Sequence, residues 1–337
     1  LSFRRQPAAS THAGRPPAPT LAEALAQHPY LRYDAEHGRL AIVPGVHDVQ
    51  EDLIVPSGLA LAIGPGTTLR FPPRALLLTD APLHFTGSAK DPIVLEPLAG
   101  AESWDGIVVL GANGRSEWND VIVRKTHAIA RGGWIMTGGI TFYRSPLTLR
   151  NCRFEGTLAE DGLNVFGTDL LFERVTFAGS ASDSFDGDFV TGELVSCTFE
   201  DGQADGLDVS GSDVRIADCR FQRLGDKGCS IGERSRARIE GGAMEDVGLG
   251  IASKDDSDVE ARGVTIRARH YALAAFVKKP EYGPARLVAR ALTIEPGATG
   301  TAIAQTGCRI ELDGVLVPTQ DIDVEASYQE GVLGRAK

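Results

Sequence analysis

Cut every 22 residues, the stretch 160–269 reads EDGLNVFGTDLLFERVTFAGSA, SDSFDGDFVTGELVSCTFEDGQ, ADGLDVSGSDVRIADCRFQRLG, DKGCSIGERSRARIEGGAMEDV and GLGIASKDDSDVEARGVTIRAR, and the columns align without gaps. Phe177, Phe199 and Phe221 share one column; Val175, Cys197 and Cys219 share the column two places earlier. Cys152 and Phe154 fit the same two columns once one extra residue is allowed. Positions i and i+2 of a strand lie on one face, so each column becomes a stack of side chains, with neighbours about 4.8 Å apart at the spacing of parallel strands. The chain is therefore expected to be all-β, a right-handed parallel β-helix whose dry interior is stacked Phe, Val and Cys.

The rhythm extends upstream. LIVPSGLALAIGPGTTLRF (53–71), APLHFTGSAKDPIVLEP (81–97) and SWDGIVVLGA (103–112) are short β-rich runs separated by Gly and Pro turns. Between residues 42 and 317 there is room for roughly twelve turns, a rod about 60 Å long. Loops are expected to project from the longer turns 116–134 and 277–284. A solenoid must cover its end rungs, because bare strand edges invite association. Thr20-Leu-Ala-Glu23 has the capping-box pattern, and Leu21 and Leu25 share a helical face, so residues 20–28 are expected to form a helix over the first rung. This divides the chain into a Pro/Ala-rich linker or processed end (1–19), a β-helix with its N-terminal cap (20–320), and a tail or cap (321–337) whose role is not legible.

Net charge is −11, so nucleic acid and anionic membrane would meet repulsion over most of the surface. No run of eighteen apolar residues is present, so no membrane-spanning helix is expected. The five cysteines, Cys152, Cys197, Cys219, Cys229 and Cys308, have no metal-type pair spacing and fall in apolar columns; reduced, buried thiols are expected.

Alternation assigns the faces. With Leu163, Phe185, Leu207, Cys229 and Ile251 inward, Asn164, Asp186, Asp208 and Ser230 point outward, joined two places on by Asp188, Ser210 and Lys254. Like charges on neighbouring strands repel, so Asp186 beside Asp208 requires a cation, a lysine or a raised pKa. Asp186, Asp188 and Asp208 are thus candidate ligands, with calcium the ion that oxygen donors favour. A second ladder at the corner, Asp161, Asp183 and Asp205, with Asp226 and Lys227, also suits Asx-turns. Asp205, Asp208, Asp226, Lys227 and Lys254 are the candidate catalytic residues. Asn164, Asp188, Glu233, Arg234 and Tyr282 are candidate substrate contacts, the last on an excursion carrying Lys278, Lys279 and Glu281. Asp208, taken as solvent-facing, is expected to tolerate replacement by Asn without loss of folding.

The stretch ADGLDVSGSDVRIADCRFQRLGDKGCSI (204–231) resembles the active-site rungs of polygalacturonase-type glycoside hydrolases, which carry T-D-G-x-D and then G-D-D one turn later. The resemblance implies that Asp205 and Asp226 stand at two catalytic aspartates; Lys227 occupies the place of the third, and Gly248-Leu249-Gly250 that of the family's G-H-G. More widely, IGPGTTLRF, SWDGIVV, GDKGCSIGERS and GIASKDDS are similar to β-helix regions of bacterial secreted or surface proteins of the CotH-associated type, which implies an extracytoplasmic module.

Two functions are compatible with these readings. One is an enzyme acting on an acidic polysaccharide laid along the rod, as hydrolase, lyase or epimerase, with aspartates or lysines as acid and base. The other is a non-catalytic structural or glycan-binding surface module. An open groove with a lysine near the aspartates distinguishes the first from a flat face with splayed acids.

Overall fold

The computed structural model describes residues 16–131, 133–295 and 299–334. Most of the expected N-terminal linker lies outside the described residues. The rest is a parallel β-helix of about 12 turns. One face is a 14-stranded sheet, and a 21-stranded sheet bends round a corner to supply the other two. The bend is made continuous by Arg220–Gly232 and Ala243–Lys254, strands of 13 and 12 residues that serve both faces.

The interior follows the columns. Phe154, Phe177, Phe199 and Phe221 stack with ring centroids 5.1, 5.0 and 4.7 Å apart, and the last two pairs are within 5° of parallel. All five cysteines are buried and free, and Cys219 Sγ accepts the Cys197 N–H at 3.4 Å. Corners leave backbone N–H groups that the ladders cannot satisfy, and a buried unpaired N–H is costly. A serine column answers this: Val190, Ser212 and Ser235 donate to Ser212, Ser235 and Ser257 Oγ at 2.9, 3.0 and 3.1 Å.

Helix α1 (Leu21–Gln27) covers the first rung, with Thr20 and Glu23 closing the capping box and Ala24 buried. The excursion expected over 116–134 begins later, since Ser116–Asn119 and Val121–Arg124 are regular rungs. It is an antiparallel hairpin, Ile129–Arg131 with Trp134–Met136. The C-terminal segment forms a short helix α2 (Val324–Gln329), N-capped by Asp323. It lies on the flank of the rod: Leu333 is fully buried against Leu249, Ala252, Ala274, Phe276 and Ile303, with Ile322, Val324 and Tyr328 packed alongside.

Candidate functional site

Strand register places Ile54, Leu78, Val108, Thr141, Asn164, Asp186, Asp208, Ser230, Ala252, Ala274 and Ile303 in one continuous column on the third face. Their neighbours Leu163, Phe185, Leu207, Cys229 and Ile251 are in the core, so this column points outward as alternation requires. Its two ends are apolar and covered. Leu78 and Val108 pack with Ile129, Trp134 and Met136 of the hairpin, while Ala252, Ala274 and Ile303 lie under the C-terminal segment. Between the covers Thr141 to Ser230 form a polar trough.

Where the trough meets α2 there is a cleft of about 930 Å³, lined on the solenoid side by Asp183, Asp205, Asp208, Asp226, Lys227, Lys254 and Lys278 and on the other by Val324, Glu325, Tyr328 and Gln329. Lys227 Nζ lies 2.7 Å from Asp226 Oδ2 and 3.4 Å from Asp205 Oδ1. The Lys227 N–H donates to Asp205 Oδ1, and the Asp205 N–H to Asp183 Oδ1, both at 2.8 Å. Corner aspartates thus serve as backbone acceptors and also face the cleft. Lys254 Nζ stands 3.6 Å from Asp208 Oδ1, a charge contact beyond hydrogen-bond length. Both lysines are buried: Lys254 keeps the outward position that alternation gives it, beside Phe276 on the next strand, but the C-terminal segment covers that end of the column and its ammonium sits under α2.

These pairs divide the acids into two protonation classes. Burial raises Asp208, but Lys254 and Lys227 outweigh it and hold it below the ordinary carboxylate range. Among the described residues Asp186 has no such partner; burial, then Asp161, Asp188 and Asp208, push it up to about 9, and its carboxyl accepts from Asn164 Nδ2 at 2.6 Å. Asp183 is raised to about 8, by burial and then by Asp205. Burial lowers Lys227, yet Asp205 and Asp226 raise it overall. Lys278 moves the opposite way: partial burial and then the charges of Lys254 and Lys227 lower it. Among the described residues no carboxylate lies within 4 Å of its ammonium, which rests 4.9 Å from the Tyr328 ring centroid; Lys227 lies 5.4 Å from the same ring. The Tyr328 hydroxyl is buried without a hydrogen-bond partner among the described residues.

Of the expected catalytic residues, Asp205, Asp208, Asp226, Lys227 and Lys254 converge in the cleft. The expected substrate contacts do not line it. Asn164 is in the trough beyond Asp186; Asp188 and Glu233 are at its border, where Glu233 accepts from Ser210 and pairs with Lys279. Arg234 pairs with Asp256 and lies over Tyr282, away from the cleft. The carboxylates whose oxygens gather within 4.8 Å are Asp183, Asp205 and Asp208; Asp208 belongs to the expected calcium set, but Asp186 and Asp188 do not join this group. Lys227 and Lys254 already compensate the cluster, so this donor set fits a divalent cation poorly. Lys278 and Tyr328 line the cleft although the sequence singles out neither as a site residue. Lys278 belongs to an excursion outside the repeating columns, and nothing in the repeat signals a residue from a non-repeating tail.

No family model matches the chain, and no curated protein matches it; neither the CotH-type nor the polygalacturonase-type resemblance is supported by a family match. Similar solved structures are β-helix proteins. A point mutant of the periplasmic alginate epimerase AlgG superposes with a TM-score of 0.50 at 9% identity, over 90% of this chain and 88% of that one. The Azotobacter vinelandii mannuronan C-5 epimerase AlgE6 A-module gives 0.46 at 14% identity, over 88% and 96%. The catalytic unit of a GH87 α-1,3-glucanase from Streptomyces thermodiastaticus gives 0.39 at 12% identity, over 85% and 62%. At these identities the likeness is one of fold.

Proposed function

We propose that this protein is an extracytoplasmic β-helix protein that binds an acidic polysaccharide in the cleft beneath α2 and transfers a proton at the ring carbon next to its uronate carboxylate. The observation that carries the reading is the convergence of three lysine side chains, one of them with its pKa lowered, an ionised Asp208 and a protonated Asp183 in one cleft at the end of a polar trough. A carbon acid beside a carboxylate becomes acidic enough to ionise when cations neutralise that carboxylate. Lys227 and Lys254, held protonated by their aspartates, line the cleft and supply part of that positive field, the rest of their charge being matched by Asp205, Asp226 and Asp208. Lys278, lowered and without a carboxylate partner among the described residues, suits the base. Asp183 or the Tyr328 hydroxyl is placed to return a proton. Lyase and epimerase outcomes share this first step and diverge after it. The fold likeness to an alginate epimerase makes alginate the first substrate to try.

Glycoside hydrolysis is a second reading, favoured by Asp183 and Asp208 carrying oxygens within 4.8 Å of each other with opposite protonation. A non-catalytic binding module is a third, favoured by the C-terminal segment packed over part of the cleft. One screen separates them: alginate and polygalacturonate in D2O, followed for ring-carbon deuterium, unsaturated-product absorbance and new reducing ends. Proton transfer predicts that the wild type gives ring-carbon deuterium, if the carbanion is reprotonated, or unsaturated product, if it eliminates, and that either signal disappears in Lys278→Ala. Reducing ends without deuterium or unsaturation would transfer the assignment to hydrolysis, and binding without any product to the binding module.

A further inference from the structure

Next to the trough, two places along each strand, Tyr143, Phe166 and Asp188 form a second outward column. The Tyr143 and Phe166 rings stack at 5.0 Å, and Phe189 meets Phe166 edge-on at 5.4 Å. Tyr143 is 41% exposed and Phe189 60% exposed. The same column is covered on either side, by the hairpin over Leu110 and by the C-terminal segment over Phe276, so this aromatic row stands in the window between the covers.

Phe189 also occupies an unusual backbone position. It sits at the corner with φ of 53°, between Gly167 (63°) and Gly211 (61°) in the adjoining turns. That left-handed conformation favours glycine and penalises bulky side chains. Among the described residues Phe189 is the only aromatic one with positive φ. Its ring lies over Gly211, where an added Cβ would come within 2.6 Å of it. A solvent-exposed ring at a glycine-type corner adds little to the fold, because most of its surface stays in water.

We propose that Tyr143, Phe166 and Phe189 form a shelf on which pyranose rings of the polysaccharide pack their C–H faces, extending the binding site from the cleft toward the N-terminal rungs. The proposal rests on the polysaccharide reading and adds direction and length to it. Three rungs span roughly 10 Å along the axis. The neighbouring polar column offers Asn164 and Asp186 to the hydroxyls that an aromatic shelf cannot satisfy. The row is continuous with the cleft, since Phe189 follows Asp186 in the same turn and Asp208 is Asp186's partner on the next strand. The occupant is the non-reacting part of a chain whose reacting residue lies in the cleft.

The test is calorimetric titration of hexameric mannuronate, galacturonate and β-glucan into the full chain and into Phe189→Ala, Tyr143→Ala and Lys278→Ala. Phe189→Ala is expected to weaken uronate-hexamer binding roughly tenfold, with a far smaller effect on dimers, and with the melting temperature within about 2 °C of wild type as for a mostly exposed side chain. Hexamer binding lost in Lys278→Ala but unchanged in Phe189→Ala and Tyr143→Ala would overturn the shelf and leave the cleft standing. A wild-type chain that binds none of the hexamers would overturn both.

Discussion

Asp208 and Lys254 show how one pair can carry both folding and chemistry. Sequence alternation places Asp208 outward, and by itself that implies a solvated acid. Its side chain is 27% exposed, yet Oδ1 is buried beside a lysine that is nearly inaccessible. Removing one partner leaves the other charge uncompensated, so Asp208→Asn is expected to destabilise the protein, contrary to the sequence-based expectation. Either Asp208→Asn or Lys254→Met should cost about 3 kcal/mol, with the double variant costing less than the sum; urea unfolding of the four proteins checks this, and additivity would remove the coupling. Asp186 gives a pH signature. Its folded pKa, about 9, lies above the unfolded value, so the folded state retains a proton that the unfolded chain has lost. Its contribution is therefore complete below about pH 4 and declines as pH rises through 9. Asp186→Asn mimics the protonated acid, and the fall in urea midpoint between pH 7 and 9 should be smaller than in wild type. In the core, Phe199→Ala opens the aromatic stack and is expected to cost about 3–5 kcal/mol, read from the same unfolding curves.

The elements differ in how much of them the sequence discloses. A rung repeats, so the Phe and Cys columns identify its inward residues from spacing alone, and the Thr20/Glu23 box marks α1 for a similarly local reason. The hairpin 129–136 and the C-terminal segment do not repeat. Their partners are outward apolar residues such as Val108 and Phe276, which a strand pattern can equally assign to a core, and pairing them requires tertiary knowledge. Tyr328 and the ammonium of Lys254 come together only through that packing, which is why the lysines are legible as site residues while their burial is not. Deleting residues 321–337 should leave the solenoid folded but expose Leu249, Ala252, Ala274, Phe276 and Ile303, an apolar patch that promotes association. Light scattering would show oligomers absent from the full chain; a monomeric, equally soluble truncation would contradict the packing role given to this segment.

For the whole molecule, the solenoid separates support from chemistry. Stacked interior columns build a rod with little regard to what its outer side chains are, so the third face can be apolar under its two covers and polar between them. Net charge is −11, and an anionic glycan therefore meets repulsion over most of the surface and needs a point where cationic side chains are gathered. The cleft places Lys227, Lys254 and Lys278 at that point, and only Lys278 has no carboxylate within 4 Å among the described residues. The most direct measurement is the affinity of hexamannuronate for the wild type and for Lys278→Ala. Binding by the wild type that weakens at least tenfold in the variant, with a neutral hexaglucan bound by neither, is the predicted result. Equal affinity of the two proteins for hexamannuronate, or equally tight binding of the neutral chain, would contradict an anion-recognising cleft.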